Sequence, residues 1–275
     1  MYKIASKKEL APDIKLLEVH AERIARCAKP GNFVILRVDE KGERIPISLA
    51  GCDDKRGTIS IAFHEVGKTT IKLGSLKRGD YIMNVAGPLG NAANIGRYGR
   101  VLCVGGGVMV APLHFQAAAL REVGNELTTV IGAMTREQVI LRKEMQKISS
   151  ELFIVTDDGS EGQNNLNFLK DLLKTRKIDF AVAMGPIVLM NEVAELTRPY
   201  KIKTMVNLNP IMVDGTGMCG SCRVTVGGET KFACTDGPEF DGHSTDFKEL
   251  MVRRRMYVPK EKIAVLLYKT FGKCL

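Results

Sequence analysis

The stretch "DGTGMCGSCRVTVGGETKFAC", residues 214–234, sets an aspartate and three cysteines in the pattern D-x4-C-x2-C-x11-C. Thiolates hold soft metal centres, and C-x4-C-x2-C is the spacing with which plant-type proteins enclose a [2Fe–2S] cluster. Asp214 stands where the first cysteine of that spacing would be, which makes Asp214, Cys219, Cys222 and Cys234 the candidate ligands. A carboxylate is anionic and can close an iron site much as a thiolate does. Gly215, Gly217 and Gly220 allow the tight turns that aim backbone N–H groups at sulfur. The same residues could instead hold zinc, with Asp214 or a distant histidine completing three thiolates. Cys27, Cys52, Cys103 and Cys274 show no metal spacing and read as small hydrophobes. His20, His64, His114 and His243 are scattered and pair with no nucleophile pattern.

A second chemistry is written in three glycine-bearing loops. "GGG" at 105–107 follows the apolar run "RVLCV" and precedes a helical segment, the place where an α/β sheet turns backbone N–H groups and a helix dipole toward an anion. "AMGP" at 183–186 and "TDDGS" at 156–160 end two later strands and would border the same crevice. A nucleotide is the ligand such a crevice takes. "EVGKTT" at 65–70 gathers a glycine, a lysine and two hydroxyls after a strand; it suits phosphate oxygens, but by spacing alone it reads more readily as a polar turn.

These loops need elements to carry them. Up to about residue 95, "NFVILRVD", "RIPISLAG", "GTISIAFHEV" and "DYIMNVAGPLG" alternate with Gly, Pro and Asp, as in a small antiparallel barrel. After Gly99 the rhythm becomes strand, helix, strand, with "ELTTVIGAM", "LFIVTDDGS" and "FAVAMGP" as buried strands of a doubly wound parallel sheet. The expected units are 1–97, 98–206, a loop-rich 207–247 and a basic, helical tail, 248–275. The chain has 275 residues, 45% of them hydrophobic, enough for two cores. Of its net charge of +9, the tail alone carries +6, from eight basic and two acidic residues. That concentration, without a helix-turn-helix or an aromatic RNA-reading motif, argues against nucleic acid and for a docking tail. No apolar run reaches membrane-spanning length and the N-terminus shows no secretory signal, so a cytoplasmic protein without membrane contact is expected.

Together these stretches resemble the electron-transfer subunits of dihydroorotate dehydrogenase and sulfide dehydrogenase type, including those of electron-bifurcating complexes, within the ferredoxin–NADP reductase fold. The resemblance covers nearly the whole chain and is most specific at 198–243. It implies a β barrel holding FAD, an α/β domain binding NAD(H), and a C-terminal 2Fe-2S cluster-binding region. It also implies a larger flavin/iron–sulfur oxidoreductase subunit as partner, through which ferredoxin is reached. Pro46, Ile47 and Ser48 would then line the flavin, with Phe63 near its ring system, and Val66, Gly67, Lys68, Thr69 and Thr70 would hold its phosphates or ribityl chain. Gly105, Gly106, Gly107, Val108, Ala111, Pro112, Asp158, Met184, Gly185 and Pro186 would border the nicotinamide nucleotide. Three positions depart from the family pattern: Met109 replaces a glycine, "SEGQNN" follows the third strand, and Arg44 is one residue out of step with the flavin motif. The rival readings are a dihydroorotate dehydrogenase subunit and a zinc-stapled nucleotide-binding regulator without redox turnover.

Overall fold

The structure, a computed structural model, describes residues 1–271; Cys274 and the end of the basic tail lie outside the described residues. The N-terminal half builds one sheet from β1 (Tyr2–Ala11), β2 (Ile14–His20), β3 (Phe33–Arg37), β4 (Arg44–Asp53), β5 (Thr58–His64), β6 (Tyr81–Ile82) and β7 (Asn84–Leu89). Two helices interrupt it, α1 (Glu22–Ala25) and α2 (Lys68–Ser75). The strand order is β6-β1-β2-β5-β4-β3-β7 and every pairing is antiparallel, a sheet curled around its own core. That core takes alternate residues of each strand: Leu17 and Val19, Val34 and Leu36, Ile59, Ile61 and Phe63.

The second half alternates β8 (Arg100–Gly106), α3 (Val110–Glu122), β9 (Glu126–Ala133), α4 (Arg142–Ile148), β10 (Glu151–Thr156), α5 (Phe168–Thr175), β11 (Phe180–Met184), α6 (Ile187–Thr197) and β12 (Lys203–Asn207). Its sheet runs β10-β9-β8-β11-β12, all parallel. The order reverses direction at β8, and open α/β sheets take ligands beyond the strand ends at such a point. A hairpin of β13 (Arg223–Val226) and β14 (Glu229–Phe232) follows, then β15 (Glu239–Asp241), α7 (Phe247–Arg254) and α8 (Val258–Phe271). β15 lies in the cysteine-bearing stretch yet joins the main sheet as an antiparallel edge strand on β12. The hairpin is therefore tied to the α/β unit rather than hanging from it.

As far as residue 271 the tail is mostly helical, as its pattern predicts. Asp246 caps α7 by accepting the Glu249 N–H at 2.9 Å. No residue of α8 is buried, and Ile263, Leu266, Leu267 and Phe271 stand exposed along one side of it. No helix among the described residues is long and apolar enough to cross a membrane.

Candidate functional site

A cavity of about 620 Å³ opens at the C-terminal ends of β8, β9, β10 and β11, with Ile14 and His64 of the barrel on its far wall. Gly105, Gly106, Gly107, Val108, Gly185 and Pro186 line it, so the two glycine turns meet around one space. Gly107 has φ +57° and a Cβ placed there would meet nothing within 4 Å; the left-handed turn faces open room where a phosphate group can approach the backbone. Gly185 abuts the other turn, since a Cβ on it would lie 3.1 Å from the Gly106 amide nitrogen. Ala111 and Pro112 are buried in α3, and Met184 is fully buried in β11; these three support the turns without lining the cavity. Asp158 is exposed, its carboxylate accepting the N–H and hydroxyl of Ser160 at 3.0 and 2.6 Å. The adjacent Asp157 lines the cavity in its place, with Asn164 and Asn165 of the unusual "SEGQNN" segment.

Met109 also lines this cavity. Its φ of −72° lies in the right-handed region, so the backbone there does not call for glycine; the difference is space alone. Met109→Gly is expected to tighten NADH binding by up to about tenfold, because removing the side chain restores close approach to the turn. Isothermal titration of both proteins checks this, and equal affinities would mean that the loop accommodates Met109.

On the barrel, strand alternation decides which expected flavin contacts are available. Ile45 and Ile47 pack onto the barrel core, leaving Arg44, Pro46 and Ser48 together on the outer face. Arg44 therefore shares the face of Ser48, despite its displacement in the motif. Phe63 is a correction: it is 2% exposed in the barrel core, and the outer face of β5 carries Ala62 and His64 instead. Gly67 begins α2, with Val66 exposed beside it and Lys68 as the first helical residue. The Thr70 hydroxyl accepts the Gly67 N–H at 2.9 Å and donates to the Gly67 carbonyl at 3.0 Å, while buried Thr69 donates to Glu43 at 2.9 Å. Both hydroxyls thus shape the turn, which leaves the Val66–Lys68 backbone, the helix N-terminus and the Lys68 ammonium to meet an anion.

The cysteine loop packs against this outer face. Gly215, at φ +76°, lies so close to the barrel that a Cβ would meet Ile35 Cγ1 at 2.9 Å and Leu89 Cδ1 at 3.0 Å. Ile35 is the cross-strand partner of Pro46, and Phe33 that of Ser48. Residues directly opposite in a ladder share a face about 4.5–5.5 Å apart. The loop therefore sits one strand away from the expected flavin contacts.

Within the loop, Asp214 accepts the Thr216 N–H at 2.8 Å and the Cys219 N–H at 2.6 Å. These donors, Thr216 first, hold its carboxyl below the usual carboxylate range. The Ser221 hydroxyl lies 3.0 Å from Cys219 Sγ and lowers that thiol's pKa. Cys222 and Cys234 are buried with their sulfurs 3.1 Å apart, and burial pushes the Cys234 thiol up to about 12. Gly217, at φ +85°, lies against Thr235, the residue after Cys234, so the loop folds back over that thiol. The four side chains neighbour one another, but no three His, Cys, Asp or Glu groups converge on a single metal point among the described residues. Three thiols, a carboxylate and an amide-lined loop fit a small iron–sulfur group, with Cys219 at the exposed edge beside Met218 and Val213.

An antiparallel barrel, a parallel sheet with a nucleotide-type crevice and a thiol loop between them define an electron-transfer protein of the ferredoxin–NADP reductase architecture. A Thermotoga maritima protein named as a homolog of the dihydroorotate dehydrogenase B (NAD(+)) electron transfer subunit is 45% identical over 98% of this chain and 95% of its own length. The chain belongs to that family of electron-transfer subunits. The Desulforamulus reducens subunit is 31% identical over 86% of this chain and 94% of its own. A family model for the iron–sulfur cluster binding domain of dihydroorotate dehydrogenase B matches residues 209–246, which selects iron–sulfur over zinc for the thiol loop. A chain of the NADH-dependent reduced ferredoxin–NADP oxidoreductase, a structure solved for insight into flavin-based electron bifurcation, superposes with a TM-score of 0.92 at 42% identity, covering 98% of each chain. Phthalate dioxygenase reductase, at 20% identity and a TM-score of 0.61 over 82% of this chain and 85% of its own, shares the fold.

Sequence reasoning missed Asp157, Glu192, Asn209 and Arg254 of the cavity lining. Asp157 is the neighbour of Asp158 in the "TDDGS" loop. The other three come from α6, the segment after β12 and the end of α7, and no local pattern marks them.

Proposed function

We propose that this chain is the FAD- and [2Fe–2S]-carrying electron-transfer subunit of a bifurcating-type oxidoreductase, exchanging hydride with NAD(H) and single electrons with a larger partner subunit. The observation that carries this reading is the seating of Gly215 on Ile35, directly across from Pro46. It puts the loop of Cys219 and Cys222 beside the barrel face that presents Arg44, Pro46 and Ser48. The bound cofactors would supply the conversion between two-electron and one-electron chemistry; the protein's part is placement. The outer face of β4 and the start of α2 hold the flavin in unit 1–97. The turns at 105–107 and 185–186 position the nicotinamide nucleotide in unit 98–206, with the barrel wall at Ile14 and His64 closing the crevice. Asp214, Cys219, Cys222 and Cys234 ligate the cluster in unit 207–247, and its exposed edge at Cys219 is where electrons leave.

The partner docks on the tail, 248–275, in this reading. Exposed Ile263, Leu266, Leu267 and Phe271 form an apolar stripe set among basic residues, the composition of an interface core with a charged rim. Ferredoxin is served through that partner. Removing residues 256–275 is expected to release the larger subunit during purification while flavin and iron stay bound. An intact complex after that truncation would move the docking surface elsewhere, the apolar rim of the cluster loop at Val213 and Met218 being the next candidate.

A further inference from the structure

The cavity beyond β8 holds two carboxylates, Asp157 and Glu192, and a single Lys or Arg among its lining residues, Arg254. A dinucleotide brings a doubly anionic pyrophosphate into that space. The carboxylates oppose it, so the amides of the 105–107 turn and the Arg254 guanidinium are left to offset the charge. Arg254 is the last residue of α7, a helix anchored by buried Phe247 and Leu250 and capped by Asp246. Its neighbour Arg253 donates to the Ser221 carbonyl at 3.2 Å, which pins the end of α7 to the cysteine loop. Two consecutive arginines thus part company, one held at the loop and the other turned to the cavity. A side chain delivered by an anchored helix end loses less freedom on binding than one on a loose loop.

We propose that Arg254 is a nucleotide-binding residue, supplied by the C-terminal extension to hold the pyrophosphate of the nicotinamide dinucleotide. The proposal rests on the reading of this cavity as the NAD(H) site. It means that the extension completes the nucleotide crevice as well as carrying the apolar surface of α8. Binding is measured by titration calorimetry on the purified, cofactor-loaded chain. Arg254→Ala is expected to weaken both NADH and ADP-ribose by roughly 10- to 100-fold, the usual scale for losing a charge-assisted contact. Arg254→Lys should recover most of that loss, because it keeps the charge. Dihydronicotinamide riboside, which has no phosphate, should bind wild type and Arg254→Ala alike. Unchanged NADH affinity in Arg254→Ala, with wild type binding normally, would overturn the role of Arg254 and leave the nucleotide site standing. Equal weakening of the riboside would also overturn it, by showing a collapsed cavity rather than a lost phosphate contact. Wild type that binds neither NADH nor ADP-ribose would overturn the nucleotide reading and this proposal with it.

Discussion

Asp214→Ala is expected to lose most of the iron while keeping the flavin. The substitution removes the carboxylate proposed as a ligand and also the two acceptor positions that fold the loop onto the Thr216 and Cys219 amides. Those two losses are separable. Asp214→Asn keeps an oxygen acceptor for the loop but not the charge, and it should hold iron poorly with an altered electron paramagnetic resonance signal. Asp214→Cys should retain iron, complete the four-thiolate set and change the signal, since ligand identity is among the factors that set iron–sulfur potentials. Full iron and an unaltered signal in Asp214→Asn would assign Asp214 to loop capping alone. The capping contacts are already visible, so the ligand role stands or falls on this variant.

Gly215→Ala should have the second large effect, and on a different quantity. The glycine sits at φ +76°, where an L residue is strained, and its Cβ would press on Ile35 and Leu89. Strain and overpacking together are expected to cost about 1–3 kcal/mol. In a chain of this size that lowers the melting temperature by roughly 2–4 °C per kcal/mol. The more telling consequence is displacement of the cysteine loop from the barrel face. NADH should reduce the flavin of Gly215→Ala at the wild-type rate, whereas reduction of the cluster should slow markedly in stopped-flow traces. Equal slowing of both phases would point to a general loss of structure, and no slowing of the second would mean that the loop position against Ile35 is not on the electron path.

Much of this was legible where chemistry and local geometry coincide. The cysteine loop, the turns at 105–107 and 185–186 and the parallel strands before them are written in contiguous residues, each needing a particular φ or a continuous apolar run. β1 was not evident from pattern, because its lysines and glutamate are interleaved with few apolar residues and it breaks register at Ile4/Ser6 and Glu9/Ala11; in β2 adjacent Leu16 and Leu17 interrupt the alternation. Phe63 shows a different failure. Family resemblance places a residue in a segment, but only the alternation of β5 decides which face it serves, and Phe63 serves the core. Arg44 shows the converse: it is four residues from Ser48, and the unbroken register of β4 on β3 keeps both on one face. Glu192, Asn209 and Arg254 reach the cavity by tertiary packing of segments far apart in the chain, a relation that no spacing rule contains. β15, three residues long, is defined by its pairing to β12 rather than by its own composition.

In the proposed function one chain carries a hydride-accepting flavin and a single-electron cluster side by side. An anaerobic titration of the purified chain with NADH, followed by visible absorbance and electron paramagnetic resonance, tests it most directly. About one FAD and about two irons per chain are expected. NADH should bleach the flavin, followed by the signal of a reduced [2Fe–2S] cluster that Cys222→Ser abolishes. Stoichiometric zinc without flavin, or flavin reduction that never produces a cluster signal in iron-replete protein, would contradict it.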